Sequence, residues 1–91
     1  MQDKIQELTD LFNEAKEEHV KAYSDTDGSD PEWPIWYADY LLDRLPPLLE
    51  ASMTRSELIY LLVHLSKIQP ADAPGADWAR YYARYLAERY L

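Results

Sequence analysis

Three runs of helix-breaking residues divide this chain into four stretches, and each stretch carries apolar residues at helical spacing. The breaks are Ser24-Asp25-Thr26-Asp27-Gly28-Ser29-Asp30, Pro46-Pro47, and Gln69-Pro70-Ala71-Asp72-Ala73-Pro74-Gly75. Short polar side chains in the first run hydrogen-bond their own backbone, and the prolines of the other two lack a donor and push the preceding residue out of the helical region. Before the first break, Ile5, Leu8, Phe12, Ala15, His19 and Ala22/Tyr23 recur at steps of three and four, with Glu7, Glu14, Glu17, Glu18 and Lys21 outside that seam. The spacing predicts a helix over about 3–23. Pro31 suits the first position of a second helix, about 31–45, with Asp30 or Ser29 as its cap and Glu32 near the positive dipole end. That helix is expected to stop at Pro46-Pro47, with Leu48 and Leu49 as a short apolar hook. Thr54-Arg55-Ser56-Glu57 has capping-box spacing and opens a third helix, about 54–68, apolar on nearly every face and so mostly buried. A fourth runs over about 75–90. No segment alternates as a strand does. The expectation is an all-α fold, a four-helix, mainly antiparallel bundle forming a single helical domain over residues 1–91.

Composition narrows the classes of function. The chain has 17 Asp+Glu against nine Lys+Arg, a net charge of −8, and no cysteine. Without cysteine there is no disulfide framework, thiolate metal site or cysteine nucleophile. The acid excess argues against nucleic acid and against an anionic membrane surface, both of which select Lys and Arg. Met1-Gln2-Asp3-Lys4 opens a polar amphipathic stretch, so no secretory leader is expected, and the apolar run Leu58 to Leu65 is too short to span a bilayer. A cytoplasmic location is the expectation. The charge is uneven: residues 1–50 carry 13 acids and four bases, residues 51–91 four acids and five bases.

An offset of 45 positions brings two aromatic segments into register, Trp33-Pro34-Ile35-Trp36-Tyr37-Ala38-Asp39-Tyr40-Leu41-Leu42-Asp43-Arg44 over Trp78-Ala79-Arg80-Tyr81-Tyr82-Ala83-Arg84-Tyr85-Leu86-Ala87-Glu88-Arg89. Six of the 13 positions from 33 to 45 are identical, and the same offset pairs Thr9 with Thr54, His19 with His64 and Asp27 with Asp72. Two readings stand: chance convergence of two aromatic helices, or a duplicated helix-loop-helix whose halves pack about a pseudo-twofold axis. Separately, Asp30-Pro31-Glu32-Trp33-Pro34-Ile35-Trp36-Tyr37-Ala38-Asp39-Tyr40-Leu41 resembles a segment of small, acidic, uncharacterised bacterial helical proteins. The resemblance covers twelve of the 91 residues and implies a bacterial family without a known activity.

The candidate site residues are aromatic. Trp33, Trp36, Tyr37 and Tyr40 share one helix face, and Trp78, Tyr81, Tyr82 and Tyr85 share another. Eight Tyr stand against one Phe. Tyr and Trp suit partly wet pockets and interfaces, where their polar tips find partners, better than a dry core. His19 and His64 lie on or beside the apolar stripes of their helices. Neither belongs to a Glu-x-x-His pair, position 16 being Lys and position 61 Leu, so no metal site and no cofactor is expected. The acidic loop over 25–32 departs from an EF-hand, with Gly28 at position four and Trp36 where a bidentate Glu belongs. Arg80 and Arg84 flank the last aromatic face, and pairing with the acidic half is their simplest use. No catalytic motif is present, so the chain is read as non-enzymatic. The leading expectation is an interaction module that self-associates as a symmetric homodimer through its aromatic helices. The alternatives are a small-ligand-binding domain whose pocket is lined by the aromatic faces and histidines, and an acidic regulator of a basic protein partner.

Overall fold

The computed structural model describes residues 2–26 and 29–91. Met1, and Asp27 and Gly28 in the middle of the expected 24–30 loop, lie outside the described residues. The described chain is all-helical. It contains α1 (Gln2–Ala22), a single 3-10 turn (Ser24–Thr26), α2 (Trp33–Leu41), α3 (Leu45–Leu49), α4 (Arg55–Asp72) and α5 (Trp78–Tyr90). None of these helices is long and apolar enough to cross a membrane.

α1 follows its seam as far as His19, with Ile5, Leu8, Phe12, Ala15 and His19 all buried, but Ala22 is exposed and Tyr23 lies just beyond the helix, partly buried. Thr9, also buried, donates its hydroxyl proton to the Ile5 carbonyl at 2.7 Å, so this polar side chain inside the core is satisfied one turn back. The second helix differs from the 31–45 expectation at both ends. Asp30 does not cap it. Its Oδ1 accepts from the Glu32 N–H at 3.0 Å, closing a turn over Pro31, and α2 starts at Trp33 with Pro34 in the first turn, where a missing donor costs nothing. The helix then stops at Leu41, four residues before its expected end. Pro46 and Pro47 occupy the first turn of α3 rather than terminating α2, by the same tolerance for proline at helix starts. The expected apolar hook is thus the end of a five-residue helix, which buries Leu45 and Leu49. Glu50 ends it in the left-handed region, at φ 52°, ψ 39°.

α4 opens on the expected capping box. The Glu57 N–H donates to Thr54 Oγ1 and the Thr54 N–H to Glu57 Oε1, both at 3.1 Å. The helix runs four residues past its expected end, through Pro70. Leu58, Leu61, Leu62 and Leu65 are buried, whereas Tyr60 is 64% exposed, so α4 has one core face rather than being buried on most sides. α5 starts at Trp78, three residues later than expected, because the Asp77 carboxylate caps it by accepting the Arg80 N–H at 3.1 Å.

The most extensive helix pairings are α1 with α5 and α2 with α4, and α3 touches α1 and α5. All five helices contribute to one contiguous cluster of buried side chains. In α5, Ala79, Ala83 and Ala87 recur at steps of four and are fully buried, a stripe small enough to let neighbouring backbone come close. This arrangement brings Trp78 of α5 edge-on to Tyr37 of α2 and sets the Tyr37 ring on His19 of α1.

Candidate functional site

Where those three elements converge, a pocket of about 380 Å³ opens. Lys16, His19 and Val20 of α1, Asp30 of the loop before α2, Trp33 and Tyr37 of α2, Leu62 of α4, and Trp78 and Tyr82 of α5 line it. The volume lies in the range of small-molecule sites, and the lining combines apolar and aromatic surface with a few polar groups, as such sites do. The pocket rings meet nearly edge to face. Trp33 and Tyr37 are 6.0 Å apart at 79°, Tyr37 and Trp78 6.2 Å at 80°, and Trp78 and Tyr82 5.3 Å at 83°. Phe12 supports the α5 side from the core, with its ring edge-on to Trp78 at 6.0 Å and to Tyr82 at 5.7 Å.

The polar end is built on His19 and Asp30, whose side chains are only 7% and 6% exposed. His19 Nε2 lies 3.1 Å from Asp30 Oδ2. A carboxylate only accepts, so Nε2 carries the proton of this bond. Three rings surround the imidazole at 4.9 Å between centroids: Tyr37 stacked on it, Trp36 edge-on and Tyr23 tilted. With its two oxygens on His19 and on the Glu32 backbone, Asp30 ties the loop before α2 to the end of α1 and sets the position of Trp33. Burial pushes the Tyr82 phenol up to about 12, with Tyr37 and Tyr81 adding smaller contributions, and burial also raises Tyr37. Partial burial first, and then the hydrogen-bonded Asp30 carboxylate, raises Tyr23. These phenols remain protonated through the neutral range, as hydrogen-bond donors rather than bases.

Of the ten residues singled out in the sequence, Trp33, Tyr37, Trp78, Tyr82 and His19 come together here. The other five do not line it, although Trp36 packs edge-on against both His19 and Tyr37. Trp36 stacks on Tyr40 at 5.4 Å and 10°, the Arg44 guanidinium lies 4.0 Å over the Tyr40 ring, and the Tyr40 hydroxyl donates to Glu14 Oε2 at 2.6 Å. Tyr81 donates its hydroxyl proton to Asp72 Oδ2 at 3.0 Å. His64 stacks on Tyr60 and meets the edge of Tyr85, a cluster distinct from that of His19. Among the described residues, no group of three or more His, Asp or Glu is placed to hold a metal ion.

Sequence reasoning missed Lys16, Val20, Asp30 and Leu62 as pocket residues. Lys16 and Val20 were within reach, since they flank His19 on the helix at steps of three and one. Asp30 was assigned to a helix cap, and only the folded chain shows its pairing with a histidine eleven residues away. Leu62 reads as one core leucine among several. No protein-family model matches the chain, and no curated protein or solved structure matches it either.

Proposed function

We propose that this chain is a non-enzymatic domain that binds a small, partly apolar ligand in the pocket between α1, α2 and α5. One observation carries the reading: four aromatic side chains from two helices 45 residues apart converge on one pocket beside a buried His19–Asp30 pair. The test is a panel of aromatic and amphiphilic metabolites screened by thermal shift and Trp emission. At least one compound should raise Tm and change emission saturably, and Trp33→Ala should abolish both effects while keeping the helical CD signal. A panel without such a compound contradicts the reading.

Self-association is the second reading, and one observation favours it. Ile35 of α2 is 39% exposed and its neighbour Trp36 is only partly buried. Tyr82 does not serve it, being 5% exposed within the single chain.

The finer architecture belongs to the same proposal. We take α1, α2, α4 and α5 as a mainly antiparallel four-helix bundle with α3 as a hook, its halves related by a pseudo-twofold axis. The exchange of partners supports this, since the first helix of each half packs most extensively on the aromatic helix of the other. Burial agrees at aligned positions: Ala38 and Ala83, and Leu41 and Leu86, are buried in both copies. The correspondence weakens in the first helices, where Phe12 is buried and its counterpart Glu57 is exposed.

A further inference from the structure

We infer that the pocket takes a small organic cation, a quaternary or tertiary alkylammonium; this rests on the pocket reading above and adds the charge class of the ligand. Trp33, Tyr37, Trp78 and Tyr82 border the pocket in a chain of nearly perpendicular rings, so aromatic surface of more than one orientation meets the space. The negative faces of aromatic rings attract a cation seated against them, most strongly where water is displaced. Asp30 places a carboxylate among the lining residues, held in position by its bonds to His19 and to the Glu32 backbone. Beyond direct contact, α1, the loop and α2 belong to the half of the chain with 13 acids and four bases, a field that concentrates cations at the opening. The opposing charge is Lys16, which is exposed on its helix and lines the pocket from the rim.

Lys16 makes the charge class measurable. Choline, its neutral carbon analogue tert-butylethanol, and the anion tert-butylacetate share a compact branched head and differ in charge. Each is titrated into the full chain and into Lys16→Ala, with Trp emission as the readout. Choline should bind saturably and at least about tenfold more tightly than tert-butylethanol, the difference that ring faces confer on a desolvated cation. Lys16→Ala should tighten choline by about twofold, by removing a like charge at the rim. In a second pair of variants, Trp78→Leu should weaken choline far more than Trp78→Phe, whereas tert-butylethanol tolerates both; this contrast survives a shared loss of packing. Binding to phosphatidylcholine vesicles that free choline competes away assigns the same chemistry to a lipid headgroup, and binding of free choline alone assigns it to a soluble ligand. If tert-butylethanol binds as well as choline, or if tert-butylacetate binds best and loses affinity in Lys16→Ala, the cation class is overturned and the pocket stands. If none of the three binds, the cation class is overturned, and the metabolite panel separately decides the pocket.

Discussion

His19 shows how much one side chain can carry in a small fold. In sequence it is one member of an apolar seam, and a satisfied structural histidine accounts for it. The structure keeps that role and adds a second one, because its partner Asp30 is also buried and both line the pocket. His19→Ala leaves the Asp30 carboxylate in a site that is 6% exposed, without its His19 partner. Breaking such a buried pair from one side costs about 3 kcal/mol. For a domain of this size Tm should fall by roughly 10–20 °C. A loss within a few degrees of wild type would mean that the pair does not hold the loop against α1. Glu50 makes the opposite kind of residue-scale prediction. It is the one non-glycine residue at positive φ among the described residues, and its exposed side chain has no compensating role. Glu50→Gly should therefore raise stability by up to about 1 kcal/mol, since the left-handed region costs an L-residue about that much and glycine nothing. Chemical denaturation reads this directly as a shift in midpoint at constant slope.

At the scale of the element, Asp39 and Arg55 join the middle of α2 to the first turn of α4. Arg55 Nε and Nη2 reach Asp39 Oδ1 and Oδ2 at 2.6 and 3.3 Å. The Arg55 hydrogen bond holds the Asp39 carboxyl below its ordinary value of 3.8. A carboxyl depressed in the folded state stabilises the fold above its unfolded value and loses that contribution as pH falls through the folded one. Stability attributable to this pair should thus be complete at neutral pH and disappear below about pH 4. Asp39→Asn should flatten the wild-type fall in stability over that window, and an identical acid limb in both proteins would rule the pair out as a contributor. Both partners are exposed, so the effect is modest. Elements differed in how legible they were for definite reasons. The α1 seam and the Thr54–Glu57 box were readable because each rests on residues close in sequence. Prolines misled in both directions: Pro46 and Pro47 start a helix, and Pro70 is carried inside one, because a proline's effect depends on which turn it occupies. Asp77 was a readable cap at the correct spacing before Trp78, hidden by the nearer Pro74-Gly75 break.

At the scale of the molecule, the acidic and the aromatic stretches of the chain divide the pocket between them. The acidic half supplies α1, the loop and α2, which form most of the pocket wall, and α5 closes it with Trp78 and Tyr82. The sequence identified five of the nine lining residues as site candidates, because ring-bearing faces at helical spacing are visible without a fold. It could not tell pocket from interface, since that depends on how the helices carrying the rings pair inside one chain, here α1 with α5 and α2 with α4. The three tryptophans offer a built-in control. Trp33 and Trp78 line the pocket, whereas Trp36 stacks on Tyr40 and meets the pocket only from behind the lining, through the His19 and Tyr37 rings. The most direct measurement is therefore the indole N–H region of the proton–nitrogen NMR spectrum, recorded as choline, tert-butylethanol and indole are titrated into dilute protein. The account predicts that, with at least one of them, the Trp33 and Trp78 resonances move together along a single saturable isotherm while Trp36 moves much less. Three indole resonances that stay fixed with every compound, or that shift to the same extent, contradict it.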